Sequence, residues 1–414
     1  MSGFRFLHAA DLHLDSPMRG LERYDGAPLA SLAGATRRAF ENLVQLALDE
    51  RVAFVVIAGD VFDGDWRDFN TGLFFAAQLR RLGDAGIRVY LLAGNHDAAG
   101  QMTKSLELPA NVIGFPTARP QTVVDEPTGA VLHGQGFATR AVEQDLAAQY
   151  PLARPGAFNI AVLHTALEGR AGHDPYAPCS LATLLAKGHQ YWALGHVHAR
   201  EVVAESPWVV FPGNLQGRHL RETGSKGATL VEVVDCAVVT VEHRACDVLR
   251  FALATVAVDG TRTKEAALDR ARLALARARD DAAGRPLVAR VELSGRCDAD
   301  ALLRRDRDAA LAALRDHGNA LGEVWVEGLR LTTAPHSTHD GKDLVEALAL
   351  DDPALREAVL AELLDGDAAT LLELAAEPGE DREGLLRGLL DEARDLAVRR
   401  LLDAAANRGR GARP

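Results

Sequence analysis

Residues 88–97, RVYLLAGNHD, join an apolar run directly to a glycine, an amide, an imidazole and a carboxylate. A run of aliphatic and aromatic residues of this length is typical of a strand that is buried on both faces. Polar side chains that follow such a strand lie at the edge of the sheet, where α/β domains gather their chemistry. The stretch therefore predicts a buried strand that ends in a functional site.

The same construction recurs through the first half of the chain. Four further apolar runs end in polar residues: FRFLHAADLH (4–13), AFVVIAGDVFD (53–63), NIAVLHTAL (159–167) and YWALGHVHAR (191–200). Helical patterns of apolar residues occupy residues 35–52 and 70–87 between the early runs. This alternation predicts a layered α/β core, with β-sheets flanked by helices and one mostly central sheet.

The pattern changes after the first domain, which we place at residues 1–245. Residues 250–332 alternate strand, helix, strand, helix and strand, which predicts a small α/β cap domain. The remaining segments are a polar linker at 333–341, a leucine-rich helical region at 342–407 and a basic tail at 408–414.

The net charge of the chain indicates whether it can bind nucleic acid without a partner. The 414 residues include 58 acidic and 46 basic side chains, which gives a net charge of -12. Binding of nucleic acid by bulk attraction requires Lys and Arg along the strand, so this balance argues against autonomous DNA binding. It does not exclude a nuclease, because carboxylates hold divalent cations and those cations neutralise phosphate.

Compartment and redox chemistry follow from two negative features of the sequence. No stretch approaches the roughly 20 apolar residues of a membrane span, and the N-terminus lacks the pattern of a signal peptide. The four cysteines are far apart without a CxxC spacing, which favours neither a disulfide framework nor a zinc-thiolate site. We expect a cytoplasmic protein that does not contact a membrane.

The polar residues at the strand ends form a chemically consistent set of carboxylates, imidazoles and one amide. They are Asp11, His13, Asp60, Asn95, His96, Asp97, His164, His196 and His198. Such oxygen and nitrogen donors suit Mn²⁺, Fe²⁺ or Zn²⁺ better than calcium. The one-residue spacing in DLH and HVH lets two side chains leave the same face of an extended segment and converge on one ion.

Each short motif has an ordinary structural explanation when it is taken alone. A Gly-Asp at a strand end is usually a turn, and an Asn after Gly is often a left-handed turn residue. A lone histidine such as His164 after an apolar run is more often a core residue. Five such motifs in order, each at the end of an apolar run, favour a functional site over these explanations.

The ordered motifs DLH, GDVFD, GNHD, LHT and GHVH resemble those of the calcineurin-like metallophosphoesterases. Three longer stretches, at 8–17, 176–198 and 211–227, are most similar to the SbcD-related DNA-repair exonucleases and especially to their YhaO-type branch. The resemblance covers residues 4–235. It implies a metallophosphoesterase fold for the first domain and a cap role for the second.

The resemblance also implies a site for two divalent ions, with Mn²⁺ the first expectation and Fe²⁺ or Zn²⁺ the alternatives. One ion would be held by Asp11, His13, Asp60 and His198. The other would be held by Asp60, Asn95, His164 and His196, so that Asp60 bridges the two. His96 would then be the general acid, and Asp97 would set its tautomer and orientation.

Two other residues have weaker assignments. Asp63 is expected either to orient a ligand histidine or to stabilise a turn, and the sequence does not separate the two roles. His219, beside Arg218, is a candidate contact to substrate phosphate.

The function implied is a two-metal phosphodiesterase, a DNA exonuclease or endonuclease that acts in DNA repair. An SbcC-like or YhaN-like coiled-coil ATPase is the expected partner, docked by the helices of 342–407, and a homodimer is also allowed. Two alternatives stay open. A metallophosphatase or small-molecule phosphodiesterase is favoured by the acidic charge, whereas a non-catalytic scaffold subunit of an ATPase complex is opposed by the complete donor set.

Overall fold

The computed structural model describes residues 3–18, 34–63, 69–99, 106–169 and 176–335, together with the isolated helical residues Gly384, Arg387, Gly388 and Asp391. Residues 1–334 form one compact unit, and residues 335–414 form another. Apart from those four residues, the predicted helical region at 342–407 and the tail at 408–414 lie outside the described residues. Their predicted roles stay predictions.

The first sheet has six strands in the order β12-β11-β1-β2-β3-β4. The strands are β1 (Phe4–Ala9), β2 (Phe54–Ala58), β3 (Arg88–Leu92), β4 (Val112–Gly114), β11 (Gly227–Val234) and β12 (Ala237–Ala245). β1 to β4 pair in parallel, while β11 and β12 add to the β1 edge as antiparallel strands. The parallel strands therefore share one carboxyl edge, where the first three motifs are found.

The second sheet also has six strands, in the order β5-β6-β7-β8-β10-β9. Their bounds are β5 (Gln121–Asp125), β6 (Ala130–Gly134), β7 (Asn159–His164), β8 (Tyr191–Gly195), β9 (Glu201–Glu205) and β10 (Trp208–Phe211). β6, β7, β8 and β10 are parallel neighbours. β7 and β8 carry the last two motifs at their carboxyl ends.

Helices cover the outer faces of both sheets. α1 (Ala35–Asp49) and α2 (Phe69–Asp84) pack on the first sheet through their buried apolar stripes, and Gly86 turns the chain after α2 with a φ of 74°. α3 (Asn95–Ala99) is a single short turn that begins within the GNHD motif. α4 (Leu181–Leu185) packs with Trp192 on the outer side of the second sheet.

The two sheets face each other across an aromatic core. The Phe6 and Phe54 rings stack at 5.2 Å, and the Tyr191 ring of the second sheet meets Phe6 edge-on at 5.3 Å. All three are fully buried, and burial of side chains of this size stabilises the fold by about 2 to 3 kcal/mol each. The prediction of sheets flanked by helices is confirmed, but the expectation of one mostly central sheet is wrong, because two sheets share the core.

A third sheet follows, in which β13 (Arg250–Ala257), β14 (Leu287–Arg296) and β15 (Val324–Ala334) are all parallel. α5 (Lys264–Asp281), α6 (Asp300–Arg305) and α7 (Arg307–Leu321) connect them. The predicted alternation of strand and helix is confirmed, although the second predicted helix is interrupted at Asp306. The sheet lies in the same compact unit as the first two sheets.

Within the described part of the chain, every helix is too short or too polar to traverse a bilayer.

Candidate metal centre

The strand ends of the first sheet are tied together by backbone hydrogen bonds that continue beyond the strands themselves. The N–H of Asp11 donates to the Gly59 carbonyl at 3.0 Å, and the N–H of His13 donates to the Asp60 carbonyl at 3.1 Å. The DLH and GDVFD motifs therefore run side by side. Their side chains are placed by the same hydrogen-bonded frame that forms the sheet.

Left-handed backbone turns the candidate metal-binding side chains toward the centre. Asp11, His13 and Asp60 have φ values of 52°, 42° and 52°, and His196 has a φ of 100°. Residues other than glycine rarely adopt such φ values. Each such residue costs about 1 to 3 kcal/mol in backbone strain, and it persists only where the surrounding structure holds it in place. The expectation that Asp11 and His13 converge from an extended segment is therefore wrong in its mechanism: they converge because both are left-handed.

The glycines of the motifs leave room for this convergence. A Cβ on Gly59 would lie 2.6 Å from the Nδ1 of His164, and Gly59 also has a φ of 95°. A Cβ on Gly94 would collide with the Asp60 carboxylate, and one on Gly195 would collide with the Ala58 carbonyl. Each Gly thus precedes its functional residue because three strand ends meet there without space for a side chain.

One group of donors consists of Asp11, His13 and His198, whose ligand atoms lie within 4.8 Å of one another. The Nε2 atoms of His13 and His198 are 3.2 Å apart, and the Nε2 of His198 is 4.0 Å from an oxygen of Asp11. The Nε2 of His13 also lies 3.9 Å from Asp60. These are the four residues assigned to the first ion.

A second group is built around Asp60 and His164. The Nε2 of His164 is 3.5 Å from an Asp60 oxygen and 2.9 Å from the amide oxygen of Asn95. The His196 ring lies beside that of His164, with centroids 5.2 Å apart. His196 and His198 therefore face different groups, as the resemblance implies, whereas the spacing argument expected them to share one ion.

The hydrogen bonds of the histidines show which nitrogens face the centre. The Nδ1 of His164 lies 2.9 Å from the Ala58 carbonyl, and the Nδ1 of His198 lies 2.7 Å from Glu222. These oxygens only accept, so each Nδ1 carries the proton and each neutral ring presents an Nε2 lone pair inward. The inward lone pairs of His198 and His164 lie close to other acceptors, an arrangement that a bound cation would stabilise.

The carboxylates show the same need for positive charge. Burial, followed by the negative charge of Asp60, raises the pKa of Asp11 well above its usual range. Burial also raises the pKa of Asp60 to about 6. Two buried carboxylates this close are unfavourable as anions unless a cation lies between them, so the residues present fit a divalent metal centre.

His96 is held at the rim of this centre by Asp63. Its Nδ1 lies 3.1 Å from an Asp63 oxygen, and its backbone N–H donates to Asp60 at 3.0 Å. Burial alone would lower the pKa of His96, but the hydrogen bond to Asp63 and the charge of Asp60 outweigh burial and raise it. Because its ring is about one third exposed, His96 is placed to meet a substrate.

The orienting role expected of Asp97 is corrected by this geometry. Asp97 is buried, and its two oxygens accept the backbone N–H groups of Val61, Phe62 and Gly94 at 3.0 to 3.2 Å. It therefore fastens the third strand end to the second, while Asp63 holds the His96 ring. Of the two roles open for Asp63, the structure favours orientation of histidines.

The geometry does not by itself separate His96 from the metal donors. His13, Asp60 and His96 also form a group whose ligand atoms lie within 4.8 Å of one another. The expectation that His96 is left without a metal is therefore a prediction of the resemblance and not a consequence of distance. The ligand roles of the other predicted residues likewise stay predictions.

Sequence reasoning missed two residues in the loop after β10. Glu222 is buried and contacts His198, and the guanidinium of Arg218 lies 3.1 Å from Glu222 and 3.9 Å from Asp63. His219, the predicted phosphate contact, has its Nε2 3.6 Å from Glu222. Glu222 lies 24 residues beyond His198 in a loop without a recognisable motif, so only the fold reveals its role.

Comparison with known families assigns two parts of the chain. Residues 4–200 match the family profile of the calcineurin-like phosphoesterases. Residues 251–334, which form the third sheet, match the profile of the middle domain of the metallophosphoesterase YhaO.

Individual relatives extend over only part of the chain. The uncharacterized metallophosphoesterase YhaO of Bacillus subtilis (strain 168) is 39% identical over 253 residues, which are 60% of this chain and 62% of that protein. The DNA double-strand break repair protein Mre11 of Aeropyrum pernix is 29% identical over 244 residues, which are 55% of this chain and 57% of that protein. The matches thus span less than two thirds of either relative.

Solved structures also show similarity to this chain. A dimetal phosphatase from Danio rerio aligns with 58% of this chain and 99% of its own, at 12% identity and a TM-score of 0.36.

Proposed function

We propose, from the premise that residues 4–200 form a calcineurin-like metallophosphoesterase domain, that this protein is a two-metal phosphodiesterase that cleaves DNA. It would act as an exonuclease or endonuclease in DNA repair, with Mn²⁺ as the metal, in the cytoplasm. A metal-dependent hydrolase follows from the family, whereas the DNA substrate and the repair role are the proposal.

The observation that carries this function is the convergence of imidazole nitrogens and buried carboxylates at the strand ends. Three imidazole Nε2 atoms, of His13, His164 and His198, face the buried carboxylates of Asp11 and Asp60. Oxygen and nitrogen donors without thiolates suit Mn²⁺. When bound, two dications polarise the phosphoryl oxygens and lower the pKa of a bound water.

The chain's own residues would perform the remaining steps. Asp63 keeps the His96 ring turned with Nδ1 toward it, so that the Nε2 of His96 faces outward from the dyad. In that orientation His96 donates the proton that the departing oxygen of a phosphodiester requires. Asp97 keeps the GNHD turn fastened to the segment after β2, because it accepts the backbone N–H groups of Val61 and Phe62 as well as that of Gly94.

Support for DNA as the substrate comes from the relatives, since one of them is named as a DNA double-strand break repair protein. The net charge of -12 opposes strong DNA binding by this chain alone. We therefore propose an SbcC-like or YhaN-like coiled-coil ATPase as the partner that presents the DNA. The helical region at 342–407 remains the proposed docking element.

A second candidate is a metallophosphatase or a phosphodiesterase for small molecules. The acidic surface charge favours it, because a small ester does not need an extended basic surface. A non-catalytic scaffold is opposed by the full set of donors around Asp11 and Asp60.

Cleavage assays separate these candidates. Purified chain with Mn²⁺ is incubated with end-labelled single- and double-stranded DNA, and in parallel with bis(p-nitrophenyl) phosphate. The expected result is DNA cleavage that His96→Asn abolishes and that His317→Asn, a matched histidine change on α7, leaves intact. Hydrolysis of the small ester without cleavage of either DNA would contradict nuclease activity of the isolated chain and favour the second candidate.

A further inference from the structure

The loop that follows β10 places a buried carboxylate behind the candidate metal centre. Glu222 is 4% exposed, and its Oε1 lies 2.7 Å from the Nδ1 of His198. Glu222 is absent from the donor groups found at the centre, because it touches the outer nitrogen of the imidazole and not the inner one.

The Nδ1 of His198 also lies 3.3 Å from a terminal nitrogen of Arg218, which can only donate. The contact to the Glu222 carboxylate is shorter, at 2.7 Å, and therefore decides which nitrogen of His198 carries the proton. A carboxylate can only accept, so a neutral His198 must be protonated at Nδ1 to make the bond. Its Nε2 is then a lone-pair donor, and it lies 3.2 Å from the Nε2 of His13 and 4.0 Å from Asp11. With the opposite tautomer, the lone pair of Nδ1 would face a carboxylate and the N–H would face the metal position.

Glu222 is itself fixed by donors from the same loop. Its Oε2 accepts the backbone N–H of Arg218 at 2.7 Å and the side-chain amide of Asn214 at 2.9 Å. The guanidinium of Arg218 donates to Oε1 at 3.1 Å. Together with the Nδ1 of His198, these donors surround both carboxylate oxygens, so Glu222 is held as a hydrogen-bond acceptor.

Arg218 connects this carboxylate to the one behind His96. Its second terminal nitrogen lies 3.2 Å from the hydroxyl of Ser16 and 3.9 Å from Asp63, and Ser16 donates to Asp63 at 2.8 Å. One guanidinium thus spans the two carboxylates that orient His198 and His96. A planar cation with several donors suits such a bridge better than lysine does.

We propose that Glu222 is a positioning residue that fixes the Nδ1–H tautomer of His198, and that Arg218 holds it in place, so that Nε2 is presented to a divalent metal ion. The proposal rests on the metal centre of the proposed function and deepens it. Removing such an outer carboxylate typically weakens metal affinity by about 10- to 100-fold.

The tautomer is measured directly on the metal-free full chain. The protein is labelled with [¹⁵N]histidine, and two-bond ¹H–¹⁵N spectra are recorded at pH 8, with His198→Gln to assign the signal of His198. Wild type and Glu222→Gln are expected to show the Nδ1–H form, because the glutamine oxygen still accepts. Glu222→Ala is expected to lose it. Persistence of the Nδ1–H form in Glu222→Ala would overturn the proposal.

Mn²⁺ affinity is measured by calorimetry on the same proteins. Glu222→Ala is expected to weaken binding by about 10- to 100-fold, and Glu222→Gln by less. The matched control is Asp125→Ala, which removes another buried carboxylate paired with an arginine; its partner Arg88 lies at the amino end of β3, whereas the GNHD motif follows the carboxyl end. Unchanged affinity in Glu222→Ala, or equal weakening in Asp125→Ala, would overturn the proposal.

Neither measurement uses DNA or turnover, so the role of Glu222 is tested separately from the proposed DNA substrate. If wild type binds Mn²⁺ and shows the expected tautomer but cleaves no DNA, the substrate assignment fails and the role of Glu222 stands. If wild type binds no Mn²⁺, both proposals fail together.

Discussion

The first and third sheets both contain parallel strands joined by helices, yet the carboxyl ends of those strands differ. At these ends in the first sheet, left-handed backbone falls on Asp11, His13 and Asp60, which carry the candidate metal donors. At the carboxyl ends of the third sheet, it falls on Gly260 and Gly295, where it costs little.

The first and third sheets also differ in what surrounds their buried carboxylates. Asp300, beside β15, is 1% exposed and accepts from Arg304 at 3.0 Å and from Thr333 at 2.7 Å. Asp60 is equally buried, but its carboxylate accepts only a backbone N–H, that of His96, among the hydrogen bonds of the described residues, and it lies 3.9 and 3.5 Å from the Nε2 atoms of His13 and His164. The buried carboxylate of the third sheet is hydrogen-bonded by its own neighbours, which indicates a structural role. The buried carboxylate of the first sheet faces imidazole nitrogens, which indicates a site for a cation.

The most severe test of this contrast exchanges the two buried aspartates for asparagine. We expect Asp60→Asn to lower Mn²⁺-dependent turnover at least about 1000-fold, since a charge shared by both ions is removed. Its free energy of unfolding in EDTA should not fall, because an unfavourable buried anion is removed. Turnover of the wild-type and variant proteins and their urea unfolding curves provide the measurement.

Asp300→Asn is the matched change in the third sheet. It should reduce the free energy of unfolding by about 1 kcal/mol, because the charge-assisted bond to Arg304 is weakened, and leave turnover intact. The reverse pattern, with turnover lost in Asp300→Asn and kept in Asp60→Asn, would contradict the assignment of the candidate site to the first sheet.

A smaller loss of activity is expected from the residue at the rim. His96→Asn should lower turnover by about 100-fold or more while Mn²⁺ affinity changes less than about threefold, because a proton donor is lost and the metal donors remain. Asp63→Asn should also lower turnover, but by less than His96→Asn, because the imidazole ring of His96 is retained. Turnover and calorimetry are compared; a large loss of Mn²⁺ affinity in His96→Asn would instead make His96 a ligand, as its group with His13 and Asp60 allows.

The third sheet should respond to changes in packing and not to changes in chemistry. Leu314 on α7 is fully buried in the core of that sheet. Leu314→Ala should reduce the free energy of unfolding by about 3 kcal/mol because it leaves a cavity. Turnover per folded molecule, measured below the unfolding transition, should be unchanged, and a proportional loss of turnover would show that the third sheet shapes the metal centre.

The smallest effect concerns a buried histidine outside the centre. Burial, together with the neighbouring ring of His133, lowers the pKa of His189 to about 3. Between the ordinary histidine pKa of 6.5 and this lowered pKa, His189 binds a proton in the unfolded chain but not in the folded chain. The free energy of unfolding therefore falls as the pH falls through this range. Wild type should lose about 1 to 2 kcal/mol more than His189→Phe between pH 7.5 and pH 5 in unfolding measurements. Equal losses would show that His189 is protonated in the fold.

The sequence was sufficient to locate the centre because its information is local. Each motif joins an apolar run to its polar residues, and the parallel order of β1, β2 and β3 brings the ends together. The side chains that orient the histidines were not predictable in the same way. Glu222 reaches His198 from a separate loop, so its role depends on the tertiary fold and not on spacing.

Two errors in the sequence interpretation have related causes. Asp97 is adjacent to His96 in sequence and is therefore expected to orient it, but Asp97 binds the backbone of the segment after β2, and Asp63 holds the His96 ring. The division of the strands between two sheets is also a long-range property, since buried parallel strands have the same apolar pattern in either sheet. Local patterns thus indicate the candidate donors, whereas long-range contacts determine what surrounds them.

The most direct test of the central claim is the number of Mn²⁺ ions bound per chain, measured by equilibrium dialysis and metal quantification. The account predicts two ions in wild type and fewer than one in Asp60→Asn, because the Asp60 carboxylate lies within 4 Å of a histidine from each group, His13 at 3.9 Å and His164 at 3.5 Å. Two ions retained in Asp60→Asn, or none in wild type, would contradict a metal centre bridged at these strand ends.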